Sequence, residues 1–158
     1  MSQPPKADII DDYKNSACWR KEFFLCPTTW SQYHLSHQWQ GNKLEDKSID
    51  QIPDSPGIYT LILQPNIAGH PSCSYLMYVG QTVSLRNRFK DYLRKEKRAK
   101  GRPKLFMFLN MYDGFVCFYY TLISQDQLNT IEKGLLIAYQ PPLNTAIPGK
   151  VGKMRRAF

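Results

Sequence analysis

From Gly57 onward the hydrophobic positions fall into short blocks separated by Gly, Pro, Asn and Asp. Gly57–Gln64 reads GIYTLILQ, rich in β-branched and aromatic residues, and predicts a strand. Ser74–Gly80 predicts a second. Pro, Asn and Gly between them make a loop, so the two runs form a hairpin with a connection longer than a tight turn. The period then changes. Leu85, Phe89 and Leu93 recur every four residues along one face of a helix that Thr82 or Ser84 can cap. This helix runs on into the basic stretch RKEKRAKGRPK, where Gly101 and Pro103 end it. Pro103 opens a short helix, PKLFMFLNMY, and Asp113-Gly114 is a turn signal. Phe115–Ile123, FVCFYYTLI, predicts a third strand. Ser124 and Gln127 resemble a capping box ahead of QLNTIEKGLLIAYQ. That helix buries Leu128, Ile131, Leu135 and Ala138, carries Glu132 at the edge of its apolar face, and ends at Pro141-Pro142.

Upstream the pattern is different. Residues 1–16 read as a tail. Residues 17–39 hold all three tryptophans together with Phe23, Phe24 and Tyr33. Side chains of this size cost about 1.5–3 kcal/mol each when left in water, so the segment should pack on the main domain or reach a ligand. Residues 40–54 are polar and read as a connector. The organisation expected is an extension over 1–50 for packing or DNA recognition, a domain over 51–146 and a basic tail over 147–158.

Charge changes this picture. Residues 1–56 hold six Lys/Arg against eight Asp/Glu, whereas residues 57–158 hold fifteen against five. The whole excess of the +8 chain lies in the second part and points to a polyanionic partner, nucleic acid before a membrane surface. No apolar run approaches the roughly 18 residues of a membrane span. The N-terminus has no signal-peptide character and the four cysteines are scattered, both of which point to a reducing cytoplasm. Cys18, Cys26, His34 and His37 match no common zinc-finger spacing. Seven basic residues lie between Arg94 and Lys104, against the single Glu96. Arg86, Arg94, Lys95, Lys97, Arg98, Lys100, Arg102 and Lys104 are the expected contacts to a DNA backbone, which cations grip whatever its sequence.

Arg88 and Tyr92 are four apart and share a helix face with one another, just after two strands that each bring a Tyr beside a Gly. Gly57-Ile58-Tyr59, Tyr78-Val79-Gly80, Arg88, a downstream helical Glu132 and Asn144 after that helix together resemble the GIY-YIG nuclease superfamily. Residues 52–59, IPDSPGIY, are especially similar to the N-terminal nuclease module of the bacterial excision-repair incision subunit. The resemblance covers about residues 52–146. It implies an α/β (α+β) domain with a small three-stranded antiparallel sheet flanked by helices, and divalent-metal-dependent hydrolysis of phosphodiesters. It also implies the roles: Tyr59, Tyr78, Arg88 and Tyr92 as catalytic residues, Glu132 as the metal-binding carboxylate, and Asn144 as support for the site.

The residue types suit that chemistry. Arg88 carries a permanent charge and a fork that matches phosphate oxygens. Glu132 offers hard oxygens to one Mg²⁺ or Mn²⁺, and a single carboxylate argues against two metals. A tyrosine made more acidic by Arg88 and the metal would be the base for the attacking water. Several relatives carry Lys directly after the second motif, where this chain has Gln81, so the identity of the base stays open. The expectation is a stand-alone DNA endonuclease of restriction or mobile-element type. The alternatives are a structure-specific repair nuclease and a non-catalytic nucleic-acid-binding module. Half-site recognition by a homodimer is left open.

Overall fold

The computed structural model describes residues 38–64, 74–94 and 101–148. The aromatic segment before Gln38, the hairpin loop 65–73, the expected DNA contacts Lys95, Lys97, Arg98 and Lys100, and the tail from Gly149 lie outside the described residues.

The sheet has four strands, not the three expected. Strand β1 (Gln40–Lys43), β2 (Gly57–Leu63), β3 (Tyr75–Thr82) and β4 (Val116–Leu122) are arranged in the order β1-β4-β2-β3, and every neighbouring pair is antiparallel. The strand missing from the sequence reading, β1, is QGNK, inside the stretch read as a polar connector. It pairs on one side only, so the ladder to β4 holds it through backbone bonds and its side chains stay largely in water. The Tyr120 hydroxyl donates to Gln40 Oε1 at 2.7 Å and adds a side-chain tie. A 3-10 helix (Asp46–Gln51) follows β1, and Leu44 and Ile52 on either side of it enter the core. Residues 40–52 are therefore part of the sheet and its core.

Helix α1 (Leu85–Leu93) starts where expected. Ser84 Oγ accepts from Asn87 N–H at 3.2 Å, and the Ser84 hydroxyl also bonds Asp54. It stops at Leu93 instead of running through the basic stretch. Beyond Leu93 the next position of the apolar stripe is Lys97, so a longer helix would have nothing to bury. Helix α2 (Pro103–Met111) has Pro at its first turn. Helix α3 (Leu128–Tyr139) has no side-chain cap. The expected capping box is instead a backbone turn, with Gln127 N–H donating to Ser124 O at 3.0 Å.

Side-chain alternation along β2 divides the core in two. Tyr59, Leu61 and Leu63 face α1 and α2, where Leu85, Phe89, Leu105 and Phe108 pack with Phe118. Ile58 and the β3 residue Val79 face α3, against Leu128, Leu135 and Leu136. β3 is an edge strand, so both faces meet the surface along it. Part of that edge is covered by the chain after α3: Leu143 N–H donates to Met77 O at 3.0 Å.

Candidate active site

Tyr59 and Gly80 lie opposite each other across β2 and β3. A Cβ at position 80 would sit 2.5 Å from the Tyr59 hydroxyl oxygen and 2.6 Å from its ring, so glycine there is what lets Tyr59 cross the strand pair. The ring cannot move aside, because it stacks on Phe118 with centroids 5.0 Å apart and is 1% exposed. Gly57 is similarly constrained, since a Cβ there would meet the Thr121 carbonyl oxygen at 2.5 Å. The two glycines of the motifs are thus requirements of close packing.

Helix α1 presents Tyr92 to the same place. The Tyr59 and Tyr92 hydroxyls are 2.7 Å apart in a buried hydrogen bond. Tyr78 lies beside them, its ring centroid 6.1 Å from that of Tyr59. Burial holds the Tyr59 hydroxyl well above its ordinary pKa, with neighbouring Tyr92 and Tyr78 adding to it. Burial likewise pushes Tyr92 up, to about 12. Arg88 acts in the opposite direction on both but is outweighed. The charge of Arg88 lowers both, as expected, but without a metal desolvation outweighs it at Tyr59 and Tyr92. Arg88 turns toward this cluster from α1, and its Nε is buried without a hydrogen-bond partner. A buried guanidinium N–H left this way is a donor waiting for an acceptor.

In front of the tyrosines is a cavity of about 390 Å³. Tyr78, Arg102, Lys104, Glu132 and Asn144 line it. Glu132 reaches it from α3. Burial raises its carboxyl above the usual range, while hydrogen bonds from the Gln81 side chain and main chain, and the charge of Arg102, pull the other way. Gln81 also donates to Asn129 Oδ1 at 2.6 Å, so this residue ties β3 to α3 and holds Glu132. Among the described residues no group of three or more His, Cys, Asp or Glu side chains comes together. Among the acidic side chains of the described residues, Glu132 alone lines this cavity and could hold a divalent cation there.

Asn144 supports the site through the backbone. Its Oδ1 accepts from Val79 N–H at 2.9 Å, and its Nδ2 donates to Val79 O at 2.8 Å. The side chain thus behaves as one more strand rung against the residue between Tyr78 and Gly80.

Two of the expected DNA contacts also bond within the protein. Arg86 Nε donates to Ile52 O at 2.8 Å, which fastens the segment before β2 to α1. Arg102 Nη1 donates to the Tyr78 hydroxyl at 2.9 Å, with the guanidinium 5.8 Å from the ring centroid. Arg94 and Lys104 are exposed. The roles of Gln81 and Arg102 inside the site were not visible in the sequence reading. For Gln81 the available signal was its place directly after the second motif.

The chain is similar in fold to the GIY-YIG N-terminal endonuclease domain of UvrC from Thermotoga maritima. A point mutant of that domain bound to the catalytic divalent cation matches at 22% identity over 63% of this chain and 93% of that chain, with a TM-score of 0.44. The same domain bound to magnesium matches at 23% identity over 62% and 92%, with a TM-score of 0.43. No family model matches the chain, and no curated protein does.

Proposed function

We propose that this chain is a divalent-metal-dependent DNA endonuclease, with a restriction or mobile-element nuclease as its finer form. One observation carries the reading: Tyr78 and Glu132 share the wall of one cavity, and Tyr78 lies beside the Tyr59–Tyr92 hydroxyl pair, on which the charge of Arg88 acts. A phosphodiester is an anion with several acceptor oxygens, and this is a site of donors, one permanent charge and one carboxylate.

Arg88 would give its buried N–H to a non-bridging phosphate oxygen and neutralise charge there. Tyrosines ordinarily keep their protons at neutral pH, and burial moves Tyr59 and Tyr92 further from losing them. They serve as hydrogen-bonding groups that fix the reacting atoms and exclude water. Of the three tyrosines, Tyr78 is the one on the cavity wall, so by position it is the base: as the phenolate, its own proton given up to solvent, it would take the proton of the attacking water. Glu132 would hold the cation, and the chemistry a divalent cation supplies there is charge stabilisation at the phosphoryl and leaving oxygens.

The test is cleavage of supercoiled plasmid DNA with Mg²⁺ or Mn²⁺ and with EDTA. Nicked or linear product is expected only with metal. Glu132→Ala and Arg88→Ala should each slow cleavage by about 100-fold or more, the scale seen when one charge-stabilising group is removed. Either variant cutting at the wild-type rate would sink the reading. Sequencing the product ends tests the finer assignment: defined ends fit a restriction-type enzyme and scattered ends do not.

A further inference from the structure

We propose that Arg102 is a second phosphate-binding cation of the site, acting beside Arg88, and not one more element of a general DNA clamp. The inference rests on the nuclease reading for its substrate class, and on separate geometry for the residue.

Arg102 comes from a different element than every other group of the site. It is the residue at the start of α2, just after Gly101, whose φ of +75° turns the chain there. A backbone clamp would extend its guanidinium away from the protein. Arg102 is exposed, yet its guanidinium donates to the Tyr78 hydroxyl and joins Tyr78 and Glu132 on the cavity wall. A guanidinium carries five N–H groups in a rigid fork. Binding to Tyr78 by one arm fixes the plane of the fork and leaves a phosphate-sized anion in the cavity within reach of the other.

Gln81, directly after the second motif, is uncharged and engaged with Asn129 and Glu132, so β3 offers the cavity no cation there. Arg102 provides a cation to the cavity that Tyr78 and Glu132 line. The charges of Arg88 and Arg102 both act on Tyr92, so a phosphate beside the tyrosines would meet the field of both.

Two measurements test this on the full chain. Inorganic phosphate is titrated while the Nε–H resonances of the arginines are followed by NMR. Arg88 and Arg102 should shift together with one affinity, and Arg102→Gln should weaken phosphate binding at least five-fold. Single-turnover cleavage is then measured at saturating DNA. Arg102→Gln, which keeps a polar side chain but has no charge, should lose about 100-fold in rate while the affinity for DNA changes less than three-fold, and Arg102→Lys should restore part of the rate. An Arg102 resonance that ignores phosphate overturns the proposal. So does an Arg102→Gln variant that binds DNA more weakly but cleaves at the wild-type rate once saturated, which is the behaviour of a clamp. If the wild type cuts no DNA while Arg102 still responds to phosphate, the nuclease reading fails and the phosphate site stands.

Discussion

Glu132 is a residue whose burial opposes its own charge, and the proposed function gives a reason to keep it. Burial raises its carboxyl above the ordinary range even though Gln81 and Arg102 favour the ionised form. A group whose folded pKa is raised stabilises the fold only while protonated. That contribution is present at low pH and is lost as pH rises through the folded value, so at neutral pH the ionised carboxylate is a burden. Glu132→Gln should therefore raise the urea midpoint at pH 7 while abolishing metal-dependent cleavage. The gain should vanish on acidification into the carboxylate range, where both side chains are neutral. A variant less stable than wild type at pH 7 would mean that Glu132 is held by its partners rather than for a ligand. At this scale the sequence was informative for the tyrosines and Arg88, because their identity and spacing set which side of a strand or helix they occupy. Arg102 was not readable in this way. Its approach to Tyr78 depends on the turn at Gly101, and no periodicity encodes that path.

The site is assembled from elements that meet at the edge strand β3, and the piece that secures the edge is the segment after α3. Leu143 bonds Met77 O, and the Asn144 amide bonds both polar groups of Val79. Asn144→Ala would remove two bonds and leave a Val79 N–H and C=O to find other partners, at about 1–3 kcal/mol. The loss should be local. Hydrogen exchange should speed at Val79 and its neighbours in β3 before it does in β2, and cleavage should fall further than global stability. Equal acceleration across β2 and β3 would show that Asn144 supports the whole sheet. The elements themselves were largely legible. β2, β3, β4 and the three helices each carry an apolar pattern of the right period, and the Ser84 cap is written in the sequence. β1 was hidden because an edge strand needs only backbone to pair, and QGNK carries no apolar signal. The start of α3 was misread because Ser124 and Gln127 have the spacing of a capping box while their backbone makes a turn.

At the scale of the whole molecule the described cations divide by geometry into those that bond within the fold and those left exposed. The excess of fifteen Lys/Arg over five Asp/Glu after residue 56 gives the sign of the partner but assigns no residue to it. Arg86 has its Nε on the carbonyl of Ile52, a residue with no exposed surface, so its side chain fastens two parts of the fold. Arg94 and Lys104 are exposed, and Lys104 stands at the rim of the cavity. A cation that meets a phosphate releases condensed counterions, so each such contact adds about one to the dependence of log K on log salt. Arg94→Ala and Lys104→Ala should each weaken DNA binding and flatten that dependence by about one. Arg86→Ala should leave the slope in place and instead lower the melting temperature, because it removes a partner from a buried carbonyl. Binding isotherms over a series of salt concentrations, read beside thermal melts, separate the two kinds of residue. A slope that flattens equally in all three variants would return Arg86 to the DNA-facing set, and the basic face would then extend along α1 rather than gather around the cavity in front of Tyr78.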